Sequence, residues 1–134
     1  MFLTTRPYLA VKHLNMPSFL LQLRITGAAF TLLGLLHMVY LAVAVEVGAP
    51  DALSYWGGHF FGVAYTAFGL HFLAGKSRWL LVAFIVNSIG LLAMLKANFI
   101  TPLWDWDPYF LAADLLTVPV LFWLYRTQKR LHAA

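Results

Sequence analysis

The sequence predicts an all-α integral membrane protein: a four-transmembrane-helix antiparallel bundle with both termini cytoplasmic. Three observations predict it. Of 134 residues, 62% are hydrophobic and 10% charged, and the mean hydropathy is +0.78. A soluble domain is near half apolar and a quarter charged. The apolar residues fall in four long runs, and the charges are sorted by side. This composition excludes a soluble enzyme, a disordered tail and a disulfide-stapled module. With no cysteine, thiolate metal sites and Fe–S clusters are excluded as well.

The runs cover about 25–45, 56–74, 79–100 and 108–125. Each holds roughly the ~20 residues that cross a ~30 Å hydrocarbon core. They are continuous rather than alternating, so they predict helices and not barrel strands. Gly48, Ala49, Pro50 and Asp51 end the first connection. Gly75, Lys76 and Ser77 make a very short second one. Thr101 and Pro102 stop the third helix, and Asp107 with Pro108 reads as an acidic cap followed by a first-turn proline. Such short loops make successive helices antiparallel neighbours.

The segment 1–23 does not read as a signal peptide, because Pro7 and Pro17 interrupt it. Tyr8, Leu9, Val11 and Leu14 with Lys12 and His13 fit either a short interfacial helix or a disordered tail. Residues 127–134 read as a basic cytoplasmic tail.

Arg6, Lys12, Arg24, Lys76, Arg78, Arg126, Lys129 and Arg130 all fall on one side of this arrangement, and only Lys96 does not. The acids Glu46, Asp51, Asp105, Asp107 and Asp114 fall on or near the other side. The positive-inside rule then puts both termini in the cytoplasm. The net charge of +4 is thus a topology signal, and nucleic acid is not an expected partner. Trp56, Trp104 and Trp106 fall at the outer interface, Trp79 and Trp123 at the inner one.

The first two helices echo each other. Gly27-x-Ala29-Phe30-Thr31-x-x-Gly34-Leu35 recurs as Gly62-x-Ala64-Tyr65-Thr66-x-x-Gly69-Leu70, at a constant offset of 35. Each glycine pair occupies one helix stripe, and Gly58 with Gly62 adds a small-xxx-small step. In lipid, small residues let helix backbones approach closely. The plain expectation is close packing of helices 1 and 2. The functional alternative is a duplicated binding half.

Polar groups inside a membrane carry a functional hypothesis by default. His37 and Asp114 lie at matching depth, roughly 13 Å and 10 Å from the outer ends of their helices, and would satisfy each other as a pair. Asn87 and Asn98 share a face of helix 3, with Lys96 roughly opposite and near enough to the helix end to snorkel. The sharp expectation is a polar pocket built from His37, Glu46, His59, Asn98, Asp105, Asp107 and Asp114 and rimmed by Trp56, Trp104 and Trp106. It would hold the polar head of a quinone or lipid. The bland alternative is an interhelical hydrogen bond with ordinary interface residues around it.

No histidine matches the depth of His37 on helix 2, which argues against a bis-histidine haem. Ala67 with His71 gives an A-x-x-x-H step of the kind that holds a chlorophyll-type pigment. No helical His–carboxylate spacing suggests a metal, and no phosphate loop or nucleophile elbow is present.

The stretch from Arg24 through Gly34-Leu35-Leu36-His37, the glycine-rich second helix, Lys76-Ser77-Arg78 and the Asp114 helix ending in Tyr125-Arg126 resemble the DoxX-like superfamily. The resemblance spans about 24–126. It implies a small four-helix protein of the bacterial inner membrane, with a quinone-type or lipid ligand. Some members are associated with thiosulfate:quinone oxidoreduction, but no motif here carries a catalytic residue over.

Three functions compete. The leading expectation is a non-catalytic membrane subunit that packs into a larger complex or with itself. The second is a membrane enzyme or redox subunit acting on a lipophilic substrate through His37 and Asp114. The third is a small proton-linked transporter, which would have to work as a dimer because four helices enclose little space.

Overall fold

The computed structural model describes residues 16–46, 52–99 and 107–133, except the side chains at 41, 43–46, 52–56, 97 and 107. Among the described residues the chain is all-helical, without strands. The helices are α1 (Met16–Glu46), α2 (Ala52–Leu73), α3 (Leu80–Phe99) and α4 (Asp107–Ala133).

Two helices extend far beyond the hydropathy runs. α1 begins at Met16 rather than near Ile25, and Pro17, expected to be an interruption, lies in its first turn. Proline is tolerated there because that amide has no partner within the helix. α4 runs on through the segment expected to be a tail. Apolar composition ends near Tyr125, but Arg, Gln, Lys and Leu are good helix formers and carry the backbone pattern further. Thr127 is buried, and Gln128 Nε2 donates to Ser77 Oγ at 3.0 Å, which docks this last part of α4.

Among the described residues, two segments are long and apolar enough to cross a membrane: Met16–Tyr40, with 25 residues, and Pro108–Ala133, with 26. The apolar stretch of α3, Leu80–Lys96, is shorter. Pro119 lies inside α4 and removes the amide that would pair with the carbonyl of Leu115.

The tight turn between α2 and α3 follows from Gly75. The amide of Lys76 donates to His71 O (3.1 Å) and that of Gly75 to Phe72 O (2.9 Å). This double closure requires a left-handed residue, and Gly75 supplies it with φ 74°.

α1 packs most extensively on α2, and α3 on α4. Glycines set the first spacing. A methyl group on Gly27 would sit 2.6 Å from the amide nitrogen of Leu73 and 2.8 Å from the carbonyl of Gly69. One on Gly34 would sit 2.5 Å from the nitrogen of Thr66 and 2.7 Å from the carbonyl of Gly62. Backbone lies against backbone, as small-residue stripes allow.

The contacts are two-fold related. Gly27 faces Gly69 as Gly62 faces Gly34, and Thr31 crowds Gly69 as Thr66 crowds Gly34. Thr31 Oγ1 donates to Gly27 O at 2.9 Å, and Thr66 Oγ1 to Gly62 O at 2.8 Å. The offset of 35 maps each contact onto its twin.

The core is mainly apolar, with Phe30, Phe72, Leu121 and Leu124 fully buried, but it also takes in polar groups while large apolar side chains cover much of the outside. Inside lie Asn87 (0% exposed), Asp114 (1%) and His37 (6%), while Leu116 (72%), Val39 (61%) and Ile89 (55%) face out. The basic side chains of Arg24, Lys76, Arg78, Arg126, Lys129 and Arg130 come to the end formed by the start of α1, the α2–α3 turn and the end of α4.

Candidate functional site

Three of the buried polar groups, His37, Asn87 and Asp114, gather where all four helices converge, and Tyr65 is the hub. α2 carries its ring into the bundle, fully buried. There it packs edge to face on Phe30 of α1, with centroids 5.3 Å apart, and on His37 at 5.4 Å. Its hydroxyl donates to Asp114 Oδ1 of α4 at 3.2 Å. Gly90 of α3 makes the room. A methyl there would collide with the Tyr65 hydroxyl and stand 3.4 Å from Asp114 Oδ2.

One turn further along both helices, a second polar rung joins α3 to α4. Asn87 Nδ2 donates to Thr117 Oγ1 at 3.0 Å, and Thr117 donates onward to the carbonyl of Ala113 at 2.8 Å. Gly90 opposite Asp114 and Asn87 opposite Thr117 keep a single antiparallel register. Buried polar groups in an apolar bundle need such partners, because water is not there to supply them.

His37 and Asp114 do not form the direct pair expected from their depth. Among the described residues neither a hydrogen bond nor an ion pair joins them, and Tyr65 stands against both. His37 Nδ1–H donates to its own helix, to Leu33 O at 2.9 Å, and its ring lies 4.0 Å from that of Phe110. With Nδ1 carrying the proton, a neutral ring presents Nε2 as an acceptor. The cluster therefore offers one hydrogen-bond acceptor and one carboxyl group around a phenol, a set suited to holding a polar head or handling a proton.

The other candidates are not gathered here. Asn98 Nδ2 donates back to Met94 O at 2.9 Å. His59 is half-buried towards the start of α2. Glu46, Trp56 and Asp107 belong to helices, but their side chains lie outside the described residues, as do Asp105, Trp104 and Trp106. His71 sits at the other end of α2 beside Trp79, with ring centroids 6.3 Å apart, and its Nε2 is enclosed without a hydrogen-bond partner. Among the described residues no group of three His, Cys, Asp or Glu side chains is placed to hold a metal. Gly27, Gly34, Gly62 and Gly69 are all spent within the α1–α2 pair, so they do not supply the dimer contact that a transporter would need.

Tyr65, Gly90 and Phe110 were not among the sequence-level candidates. The signal for Tyr65 lay in the echo itself, where a phenol stands in place of Phe30.

The same echo provides an internal comparison. Phe30 packs on Phe72 with centroids 6.2 Å apart, and its two-fold twin is Tyr65 on His37 at 5.4 Å. The fold makes the same aromatic contact twice, once with hydrocarbon rings and once with polar ones. The polar copy is the one beside Asp114.

Compared with protein families, curated proteins and solved structures, the chain matches none.

Proposed function

We propose that the chain is a four-span integral membrane protein of the bacterial inner membrane, with both termini cytoplasmic, acting as a non-catalytic subunit. Its partners are membrane lipids and other membrane subunits or further copies of itself. The observation that carries this reading is the apolar exterior around buried polar groups: Leu116, Val39 and Ile89 outside, Asp114, Asn87 and His37 inside. Water would reward the opposite arrangement, whereas lipid rewards this one. α2 has 22 residues and no Asp, Glu, Lys or Arg, and α3 has 20 with Lys96 in its last turn. At 1.5 Å per residue these are ~33 and ~30 Å long, enough to cross. The resemblance to DoxX-like proteins agrees in size, helix count and orientation. The Tyr65–Asp114 and Asn87–Thr117 bonds use their polar groups as glue between helices.

Because the chain has no cysteine, topology can be tested with single substitutions. In sealed spheroplasts an impermeant maleimide should label Ala49→Cys directly, and Lys76→Cys and Ala134→Cys only after permeabilisation. Equal labelling of all three would overturn the topology. Purification from native membranes should then bring down a partner or an oligomer. A lone monomer without companions would overturn the subunit reading.

One observation favours a second reading. The Phe30–Phe72 contact achieves the packing of Tyr65–His37 without polar atoms, so packing alone does not call for an imidazole and a phenol beside Asp114. On this reading the cluster serves a lipophilic substrate or ligand with a polar head, of the quinone class. Loss of a co-purifying ligand in both His37→Phe and Asp114→Asn, with the fold retained, would support it. An unchanged ligand content would reject it.

A further inference from the structure

The basic end of the bundle has a feature that topology alone does not require. Two cationic segments distant in sequence are fastened to each other. Gln128 of α4 donates to Ser77 in the α2–α3 turn, which brings the turn bearing Arg126, Lys129 and Arg130 beside Lys76 and Arg78. From α1, Arg24 reaches the same turn, with Nη2 4.0 Å from the Cβ position of Gly75. Like charges held together repel, and no acidic side chain offsets them here. The sequence has no Asp or Glu before 46, between 52 and 104, or after 114. Asp114, the acid nearest to Arg126 along α4, is twelve residues away, or ~18 Å.

The cations are also arranged in a particular way. Arg78 lies over Trp79 at 5.7 Å, Arg126 over Phe122 at 5.8 Å, and Lys129 over Tyr125 at 5.2 Å. Each charge rests on an aromatic side chain at the edge of the apolar surface. Trp79, Phe122 and Trp123 are themselves exposed there. Cations perched on aromatic rings at that boundary stand at the level of lipid headgroups.

We propose that this end binds the phosphate of an anionic phospholipid, with Arg24, Lys76 and Arg78 around the α2–α3 turn as its primary contacts and the basic turn of α4 closing the other side. The missing countercharge is supplied by the headgroup, and the acyl chains lie on the exposed apolar faces of α3 and α4. Basic pockets between membrane helices on the cytoplasmic side recognise headgroups of this class. The Nε2 of His71 is enclosed within the protein and is not offered to the headgroup. The inference rests on the membrane reading above and goes beyond it by naming a headgroup and a place.

The test is native mass spectrometry of the full chain in mild detergent, titrated with phosphatidylglycerol or with phosphatidylcholine of the same acyl chains. Phosphatidylglycerol should be retained preferentially. The double variant Arg24→Gln/Arg78→Gln should lose that preference by roughly ten- to thirtyfold, at the usual worth of two cations near an anionic surface. Arg24→Lys/Arg78→Lys, which keeps the charge, should retain most of it, and Lys96→Gln at the opposite end should leave it unchanged. Excess inorganic phosphate should not displace the lipid.

Equal retention of the two lipids overturns the proposal, as does a preference that survives the double Gln variant. Equal loss in Lys96→Gln would show a diffuse charge effect and overturn the site, and displacement by inorganic phosphate would show a soluble-anion site instead. A chain that takes up neither lipid and stays dissolved without detergent overturns the membrane reading and this proposal together. Retention of both lipids without preference overturns the headgroup site alone.

Discussion

The hydroxyl of Tyr65 donates to Asp114 at 3.2 Å and ties α2 to α4 across the centre of the bundle. The two residues are 49 apart in sequence, and neither has another side-chain hydrogen bond among the described residues. Removing one leaves the other buried without a partner, whereas removing both leaves nothing unsatisfied. Tyr65→Phe should therefore destabilise the protein by about 0.5–2 kcal/mol, the range for polar contacts between membrane helices. Tyr65→Phe combined with Asp114→Leu should cost clearly less than the two single changes added. A double-mutant cycle of thermal unfolding in detergent measures this coupling, and additive losses would mean that the bond contributes nothing.

Gly34→Ala and Gly69→Ala should each prise α1 from α2. The new methyl would meet backbone atoms, 2.7 Å from a facing carbonyl in both cases, and backbone yields little. Overpacking of this kind costs about 1–3 kcal/mol. Gly57→Ala, with nothing within 4 Å of the added atom, should be neutral or gain from helix propensity. Melting temperatures of the three variants, compared side by side, decide the matter. If Gly57→Ala proved the most damaging, this packing would be wrong.

His37→Phe copies the twin position Phe72 into the other half of the pair. The two contacts have similar geometry, so the change should stay within about 1.5 kcal/mol of the parent, as volume-conserving swaps do. Equilibrium unfolding reads the difference. A loss beyond about 3 kcal/mol would make the imidazole a structural necessity and remove the main reason for giving it a functional role.

Thr117→Val leaves the Asn87 amide without its donor and acceptor in a fully buried position. We expect a loss of about 0.5–2 kcal/mol. The companion change Asn87→Leu in the same background should recover part of it. If Thr117→Val were as stable as the parent, the rung would be incidental.

The helices and the glycine stripes were legible because hydropathy and small-residue spacing are local signals. The ends of α1 and α4 were not. Charge begins at Arg24 and Arg126, but a helix extends past its apolar part wherever its residues favour the conformation and a contact such as Gln128–Ser77 holds it. His37 and Asp114 stood out as polar groups in apolar runs. Their bridge, Tyr65, did not, because a phenol among six tyrosines and eleven phenylalanines looks like ordinary packing. Gly90 was overlooked because it has no glycine at stripe spacing on its own helix. Its purpose appears only once Tyr65 and Asp114 are set beside it.

On the proposed membrane reading, the two-fold relation of α1 and α2 bears on how the chain is written into a bilayer. Turned upside down, the pair meets itself: Gly27 takes the place of Gly62, Thr31 of Thr66, and Phe30 of Tyr65. The helices themselves are therefore nearly indifferent to up and down. On that reading, direction is carried by residues outside the repeat, Arg24 at one flank and Lys76 and Arg78 at the other. Transplanting those few cations would invert the hairpin while sparing its seam.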